Sequence, residues 1–386
     1  MSVNQPKPLP ESSFKGTEFV YKTGQFLFTL FAFLVALDLM SGSFKLFGAD
    51  YAKELVNITV NPFVSLFVGM LATAVIQSSS TTTTMIVGLV AAGTISPVEA
   101  TPMIMGANIG TSVTSTIVSL GHIGNRAEYQ RAIAAATVHD FFNIITVILL
   151  FLLEYFTGAL SSIAVSLADW LFVEGGEGGK TKGVLDYTTK AVAKWILSLT
   201  ATTEFPKGMP FVSLPIALAM LFFALRSLTR LLKTFIIGRV QENLDRFVFG
   251  KPIKSLTAGF LLTTAVQSSS VTSSLIVPLV ASEKVSLYKA FPFLMGANIG
   301  TTTTALIAAI FLGVNSPNAL AIAFVHLLFN LVGVFILFPI PRVRRIPITL
   351  AEGLGELTLR NRLYGVLYVV TVFFLVPGLL IFFTQF

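Results

Sequence analysis

The sequence predicts an all-α, polytopic membrane protein, and three observations lead to this fold class. Of the 386 residues, 54% are hydrophobic and only 12% are charged, about half the charged share of ordinary soluble domains. The mean hydropathy of +0.81 reflects long stretches that carry no charge. Two polar motifs also recur in the same order in both halves of the chain. Helices satisfy their own backbone hydrogen bonds in lipid and are therefore the expected elements.

The charge balance and the cysteine content exclude several classes of protein. Lys and Arg outnumber Asp and Glu by 26 to 19, a formal net charge of +7, which in a soluble protein would suggest nucleic-acid binding. In a membrane protein we assign the excess to loops, where basic residues favour the cytoplasmic side. We therefore expect no nucleic-acid partner. The absence of cysteine excludes disulfides, iron–sulfur clusters and thiol catalysis.

The first membrane crossing is predicted shortly after a polar start. Residues 1–22 contain three lysines and no apolar core, so we expect a polar N-terminal tail on the cytoplasmic side, without a cleavable signal peptide. The chain is then apolar from 24 to 40 with Asp38 as its only charge, long enough for a spanning helix. We assign residues 23–173 to a first transmembrane repeat.

A run of polar residues interrupts the next uncharged stretch, which extends from 55 through 98. The run is Gln77-Ser78-Ser79-Ser80 followed by four threonines. The apolar arm before it, Pro62 to Ile76, has 15 residues, roughly 22 Å as a helix and too short to cross a membrane. These lengths predict a re-entrant helical hairpin. Irregular backbone at this depth requires a protein or water-filled surrounding, so the tip marks a buried site.

Two further segments complete the first repeat. The uncharged stretch from 100 to 125 contains Gly106-Ala107-Asn108-Ile109-Gly110-Thr111, whose glycines and asparagine predict a broken helix. A helix from about 132 to 155 follows and carries His139, Asp140 and Asn143. The glycine-rich, charged segment 174–209 is predicted to be a solvated linker loop, and residues 210–386 to be a second transmembrane repeat.

The second repeat copies the first. At an offset of 190, residues 69–117 align without a gap to 259–307 with 25 identities in 49 positions. This alignment places the first tip on Gln267-Ser268-Ser269-Ser270 and the glycine motif on residues 296–301. At an offset of 187, His139 and Asn143 align with His326 and Asn330. Each histidine and asparagine share a helix face because they are four residues apart.

Duplicated, broken hairpins indicate a secondary transporter. In such proteins the tips meet near mid-membrane, where free backbone N–H groups at helix starts face an anion. The segment before the second tip, residues 226–254, has an excess of basic residues, whereas the charges before the first tip, at residues 45–54, cancel. Because basic loops favour the cytoplasmic side, this difference favours opposite membrane faces for the two corresponding loops. We therefore predict inverted repeats.

The tips have the chemistry of an anion site. Their hydroxyls and amides can donate hydrogen bonds to a tetrahedral oxyanion, and their carbonyl oxygens suit a hard cation. Since neither tip carries Lys or Arg, a cation should enter with the anion. We predict sodium, with Asn, Thr and Asp140 as oxygen ligands; protons, through His139, His326 or Asp140, are the alternative. The candidate ligands in the duplicated segments are Asn108, Thr111, Asp140, Asn298, Thr304 and Asn330.

The polar clusters and the buried histidines also have simpler, structural explanations. A single Ser/Thr cluster in a membrane helix usually serves packing, but two copies at matched positions favour function. The two histidines can be structural. Asp140 is costly in lipid and should face the bundle interior; its second-half counterpart is Leu327. The adjacent His139 and Asp140 diverge by about 100° on a helix, which excludes a hydrolase triad, and no nucleotide-binding motif is present. We predict no enzyme activity.

At these residues the chain resembles the type II sodium-dependent phosphate cotransporter family, including bacterial members. The resemblance rests on the duplicated tips, on the duplicated glycine motif and on residues 136–143, and it extends over about residues 24–383. It implies inward phosphate transport driven by sodium, inverted repeats, and a location in a bacterial cytoplasmic membrane. It also implies that both tips handle phosphate. Sodium coordination is implied for Thr116, Asn143 and Thr301, and charge-moving transport for Asp140.

The chain departs from the animal members of that family at His122, Asn125 and Ala297, and we expect these replacements to weaken or reshape one sodium site and to alter the coupling stoichiometry. From the residues alone, a sodium-coupled carrier of another oxyanion such as sulfate or a dicarboxylate stays open. So does a channel-like or receptor-like protein without coupled transport. The expected partners are phosphate, sodium and the lipid bilayer, with no organic cofactor, and a homodimer is compatible with the sequence.

Overall fold

A computed structural model describes residues 16–46, 61–174, 184–203, 209–240, 248–313 and 316–384. These residues form helices joined by short turns, and the all-α prediction is confirmed within them. Among the described residues, seven helices are long and apolar enough to cross a membrane, which confirms a polytopic membrane protein. The candidate spans are Val20–Leu46, Pro97–His122, Arg126–Thr157, Pro210–Leu228, Leu287–Leu312, Pro317–Leu337 and Leu363–Thr384.

The predicted tail lies outside the described residues up to residue 15, whereas 16–22 already belong to the first helix. The first half consists of α1 (Gly16–Leu46), α2 (Pro62–Ile76), α3 (Ser79–Ala91), α4 (Pro97–Gly110), α5 (Val113–Ser119), α6 (Arg126–Thr157) and α7 (Ala159–Glu174). The second half follows α8 (Val184–Leu199) and consists of α9 (Pro210–Val240), α10 (Pro252–Val266), α11 (Ser269–Ala281), α12 (Leu287–Gly313), α13 (Pro317–Leu337), α14 (Pro341–Arg360), α15 (Leu363–Val370) and α16 (Val376–Thr384).

Both polar runs interrupt a pair of short helices. In each half, a helix of 15 residues that begins with proline precedes the break, and a helix of 13 residues follows it. Proline suits the first helical turn because no intrahelical partner exists there for its missing N–H. At about 1.5 Å per residue these arms measure roughly 22 and 20 Å, less than a hydrocarbon core of about 30 Å.

The glycines of the repeated motif permit close helix packing. A Cβ added to Gly106 in α4 would lie 1.8 Å from the carbonyl oxygen of Leu66 in α2, and one added to Gly296 in α12 would lie 1.9 Å from that of Leu256 in α10. Only glycine allows such an approach, as in small-residue interfaces between membrane helices. The glycines therefore tie each tip's first arm to the helix that follows the hairpin.

The two copies of the glycine motif, where broken helices were predicted, differ, and the first copy shows only a local interruption. There α4 ends at Gly110, and α5 starts at Val113 after a two-residue turn. In the second half α12 continues through residues 296–301, so the broken-helix prediction is wrong for that copy. Its glycines support packing instead of unwinding, and the hydroxyls of Thr301 and Thr302 donate to the carbonyls of Ala297 and Ile299 within the same helix (3.0 and 2.7 Å).

The segment predicted as a solvated linker, 174–209, contains a helix. Helix α8 packs against α1, with Thr189 and Ala193 buried while Lys194, Trp195 and Leu199 are exposed. This one-sided burial is typical of an amphipathic helix, and it corrects the loop prediction for residues 184–199. The glycine-rich stretch 175–183 lies outside the described residues.

The two halves interlock. Helix α3 of the first half packs against α12 and α13, and α11 of the second half packs against α5 and α6. The hydroxyls of Ser115 in α5 and Ser273 in α11 share a hydrogen bond of 2.7 Å in this interface. Each post-tip helix thus lies against the opposite repeat, which brings both tips to the centre of the molecule.

Candidate functional site

Both tips have the same backbone conformation. Gln77 (φ 57°, ψ 27°) and Gln267 (φ 55°, ψ 30°) end α2 and α10 in the left-handed region. This conformation costs a residue with a side chain about 1–2 kcal/mol. Such strain persists where the surrounding structure enforces it and often marks a functional site. Both tips thus carry glutamine in a conformation that glycine adopts without this cost.

The serine that follows each glutamine caps the next helix. The Ser78 hydroxyl accepts from the N–H of Thr81 (3.2 Å), and the Ser268 hydroxyl accepts from that of Val271 (3.4 Å). This arrangement satisfies one of the free N–H groups at each helix start. The N–H groups of the two remaining tip serines in each copy stay available at the positive end of a 13-residue helix.

The two tips line one cavity of about 430 Å³. All eight tip residues predicted for phosphate contribute to its wall: Gln77, Ser78, Ser79, Ser80, Gln267, Ser268, Ser269 and Ser270. Ser79 and Ser269 are almost fully buried, and the Ser269 hydroxyl has no hydrogen-bond partner among the described residues. A buried, unsatisfied hydroxyl on a residue of a cavity wall is a vacant donor. The structure therefore brings the predicted anion-binding residues together.

Threonines from the following helices support the tips. The Thr304 hydroxyl donates to the Gln267 side-chain oxygen (2.7 Å), and the Gln267 amide donates to the carbonyl of Thr264 (2.5 Å). In the first half, the Thr114 hydroxyl donates to the backbone carbonyl of Gln77 (3.4 Å). Thr304, predicted as a sodium ligand, thus orients a tip side chain in this structure.

Four buried asparagines connect the halves through one hydrogen-bonded chain. The Asn143 amide donates to the backbone carbonyl of Asn108 (2.7 Å). The Asn298 amide donates to the Asn143 side-chain oxygen (2.6 Å), and the Asn330 amide donates to that of Asn108 (3.3 Å). Each asparagine of the glycine motif therefore contacts the helical asparagine of the opposite repeat. The Asn330 side-chain oxygen has no partner among the described residues.

Asp140 lies one helical turn before Asn143 and is fully buried. Its carboxyl oxygens make no standard hydrogen bond among the described residues, while the hydroxyls of Ser112 and Tyr368 are close enough to interact with them. His139 and His326 are also buried, and their ring nitrogens likewise have no standard partner in the described part of the chain. A buried carboxyl with vacant oxygens is an expected place for a cation.

The remaining predicted sodium ligands bond within their own helices. The hydroxyls of Thr111, Thr116 and Thr301 donate to the carbonyls four residues earlier, at 3.0–3.2 Å. All three are buried, and their hydroxyl oxygens keep lone pairs for a cation. The asparagine chain does not include them.

Two of the departures from animal relatives lie at the start of a helix. Asn125 caps α6: its side-chain oxygen accepts from the N–H of Ala127 (3.1 Å), and its amide donates to Glu128 (3.0 Å). His122 lies 3.3 Å from the same carboxylate. Ala297, the third departure, is fully buried in α12. These contacts give His122 and Asn125 a structural role at the start of α6.

One charged residue in the cavity wall was missed from the sequence. Arg226 lines the cavity beside Phe222 and Leu225 of α9, whereas the sequence suggested a cytoplasmic boundary segment for it. The sequence signal that could have identified Arg226 was its position: it is the first charged residue after the 16 uncharged residues 210–225. An arginine that ends such an apolar run is most simply interpreted as a boundary residue.

The sequence profile of Na+/Pi-cotransporters matches two segments of the chain, residues 32–169 and 220–358. Together they cover more than half of the chain, and each contains one Gln-Ser-Ser-Ser tip. The chain belongs to the Na+/Pi-cotransporter family. This finding agrees with the family resemblance of the duplicated motifs, and membership in a family of transporters agrees with the prediction that the protein is not an enzyme.

Relatives of this Na+/Pi-cotransporter family member include animal transport proteins. The chain is 32% identical to sodium-dependent phosphate transport protein 2A of Ovis aries, over 91% of this chain and 66% of the relative. The 2A protein of Rattus norvegicus is 32% identical over 97% of this chain and 70% of its own length. The chain is 30% identical to the 2B protein of Homo sapiens, over 90% of this chain and 63% of the relative. The chain thus spans about two thirds of these relatives, and no solved structure is significantly similar to it.

Proposed function

We propose that this protein imports inorganic phosphate together with sodium, by alternating access across the cytoplasmic membrane of a bacterium. The observation that carries the proposal is the single cavity lined by both Gln-Ser-Ser-Ser tips. Family membership and the names of the relatives support the choice of phosphate and sodium. The geometry of the tips and of the buried asparagines explains how the protein could bind these two ions.

The tips suit a tetrahedral oxyanion. Helices α3 and α11 both start at the cavity, so their free N–H groups and positive dipole ends act on the same volume. The serine hydroxyls and glutamine amides add donors from both sides. Each hydrogen bond to a charged oxygen contributes about 1.5–3 kcal/mol, and phosphate can accept several at once.

Sodium is expected to bind among the buried oxygens near the asparagine chain. The side-chain oxygens of Asp140 and Asn330 that make no standard hydrogen bond among the described residues supply charge and a carbonyl-type ligand, and such oxygens suit a hard cation. The remaining proposed ligands are Asn108, Thr111, Thr116, Asn143, Asn298, Thr301 and Thr304. Since the asparagines belong to both halves, a bound cation would stabilise their association and couple ion binding to the arrangement of the repeats.

The count of crossings supports inverted repeats over 23–173 and 210–386. Consecutive crossings alternate in direction. If the shorter helices do not cross, α4 and α5 form the second crossing and α12 forms the fifth. These two corresponding segments then cross the membrane in opposite directions. Helix α7 has 16 residues, about 24 Å and short of a full crossing. With a cytoplasmic N-terminus, the basic segments at 230–254 and 342–345 both follow outside-to-inside crossings, as the positive-inside rule requires.

Uptake into liposomes tests the proposed function. Purified protein in sealed vesicles should accumulate labelled phosphate above the external concentration under an inward sodium gradient, because sodium entry drives the anion. An equal potassium gradient should support no accumulation. Excess sulfate should leave phosphate uptake unchanged. Accumulation without a sodium requirement would refute the coupling, and full competition by sulfate would refute the choice of substrate.

Charge movement tests the proposed role of Asp140. We expect Asp140→Asn to transport phosphate with about one positive charge fewer per phosphate, because the neutral amide no longer attracts one extra cation. The measurement is the ratio of current to labelled phosphate in vesicles clamped with a potassium ionophore.

Glu154→Gln is the matched control for Asp140. Glu154 is a buried carboxylate in the same helix, but it accepts hydrogen bonds from the N–H groups of Leu160 and Ser161 (2.7 and 3.2 Å). It therefore has a structural partner, and its variant should keep the wild-type charge ratio with lower thermal stability. An unchanged ratio in Asp140→Asn would remove Asp140 from the coupling.

A further inference from the structure

The third wall of the anion cavity belongs to α9. Phe222, Leu225 and Arg226 line it, and their spacing of three and four residues places them on one helix face. Arg226 lies 16 residues after Pro210, about 24 Å along the helix, and two residues before the end of the candidate span Pro210–Leu228. Near the end of a span, a long basic side chain can reach either the membrane interface or a polar cavity. Arg226 lines the cavity between the tips.

Among the described residues, the cavity wall carries a positive charge with no negative one to balance it. Among the described residues in its wall, Arg226 is the only charged one. Its guanidinium forms no ion pair or hydrogen bond with any described part of the chain. The positive ends of α3 and α11 act in the same direction. Arg226 has no carboxylate partner among the described residues and lines the same cavity as the two sets of tip hydroxyls, which matches a ligand that brings its own negative charge.

We propose that Arg226 is a substrate-binding residue that pairs with a phosphate held between the two tips. This inference rests on the proposed function and adds the charge that the tips lack. The planar guanidinium can donate two parallel hydrogen bonds to adjacent oxygens of a tetrahedral anion, while the tip serines and helix starts bind the others. Arg226 thus balances one phosphate charge, and the sodium ions balance the rest.

The chain offers a clean experiment because it contains no cysteine. Arg226→Cys should raise the phosphate KM of sodium-driven uptake about 10- to 100-fold, the effect of losing a charged hydrogen-bond donor. The sodium concentration for half-maximal uptake should change less than about twofold. A thiol reagent that attaches an aminoethyl group should lower the KM again by restoring a positive charge. A reagent that attaches a neutral group of similar size should leave the KM raised.

Arg230→Cys provides the matched control, since Arg230 lies one turn further along α9 and outside the cavity wall. Its KM should equal that of the wild type before and after both reagents. Arg226→Lys should give a smaller increase in KM than Arg226→Cys, because the charge remains and the paired hydrogen bonds are lost.

Two outcomes would overturn the inference. One is a wild-type KM in Arg226→Cys; the other is equal recovery with the charged and the neutral reagent, which would indicate a packing role. Both are distinct from failure of the proposed function, in which the wild-type protein itself shows no sodium-driven phosphate uptake. Binding of labelled phosphate to detergent-purified variants, with a folded size-exclusion profile, gives the same comparison for any variant that does not reconstitute.

Discussion

Gly296→Ala is expected to prevent the accumulation of folded protein. The new methyl group would lie 1.9 Å from the carbonyl oxygen of Leu256 and 2.9 Å from the backbone nitrogen of Phe260, so α10 and α12 would have to separate. This separation would open the interface that holds the second tip in position. We expect the free energy of unfolding to fall by at least about 3 kcal/mol. Thermal unfolding in detergent, followed by size-exclusion fluorescence, measures the effect.

Gly353→Ala serves as the control because a methyl group at Gly353, in α14, meets nothing within 4 Å. There the same substitution should be neutral or stabilise the protein by up to about 1 kcal/mol, since alanine favours helix more than glycine. Equal effects of the two substitutions would contradict the close helix packing. Gly106→Ala should behave like Gly296→Ala, because its methyl group would lie 1.8 Å from the Leu66 carbonyl oxygen.

Ser269→Ala should impair phosphate uptake without destabilising the protein. The Ser269 hydroxyl is buried and has no partner among the described residues, so its removal costs no protein hydrogen bond and relieves a desolvated group. If phosphate accepts from this hydroxyl, the phosphate KM should rise about 10-fold or more, the effect of losing a hydrogen bond to a charged group. The readouts are KM in vesicles and melting temperature. Ser79→Ala should act in the same direction.

Ser282→Ala is the matched control on the same helix. Ser282 is exposed at the end of α11, and its hydroxyl donates to the Pro278 carbonyl (2.7 Å). Uptake by this variant should equal that of the wild type. If Ser269→Ala also kept the wild-type KM, the serine runs would serve packing alone, and the anion site would have to lie elsewhere.

The sequence predicted features that depend on local pattern. The arm from Pro62 to Ile76 follows from a proline start and an uncharged run that ends at polar residues, and its bounds agree with α2. The duplication predicted that the second tip would repeat the first, and both glutamines have the same left-handed backbone. The chemistry of the tips followed from their residue types alone.

Features that depend on contacts between distant segments could not be predicted. The asparagine chain joins Asn143 to Asn298, 155 residues apart, and no local pattern specifies that pairing. Identical glycine motifs are followed by a two-residue turn in one half and by continuous helix in the other, a difference that the shared motif does not specify. From the sequence, Arg226 was interpreted as a charge at the membrane boundary. Only the packing of α9 shows that it lines the same cavity as both tips.

The number of phosphate ions bound per chain at saturation distinguishes one anion site shared by both tips from two separate sites. If the two tips build one site that fills together with sodium, purified protein should bind one phosphate per chain in sodium and essentially none in potassium. Either Ser79→Ala or Ser269→Ala should weaken that single site. Two phosphates per chain, with each serine variant weakening only one of them, would show that the tips form separate sites, and equal binding in sodium and potassium would show that phosphate binds without sodium.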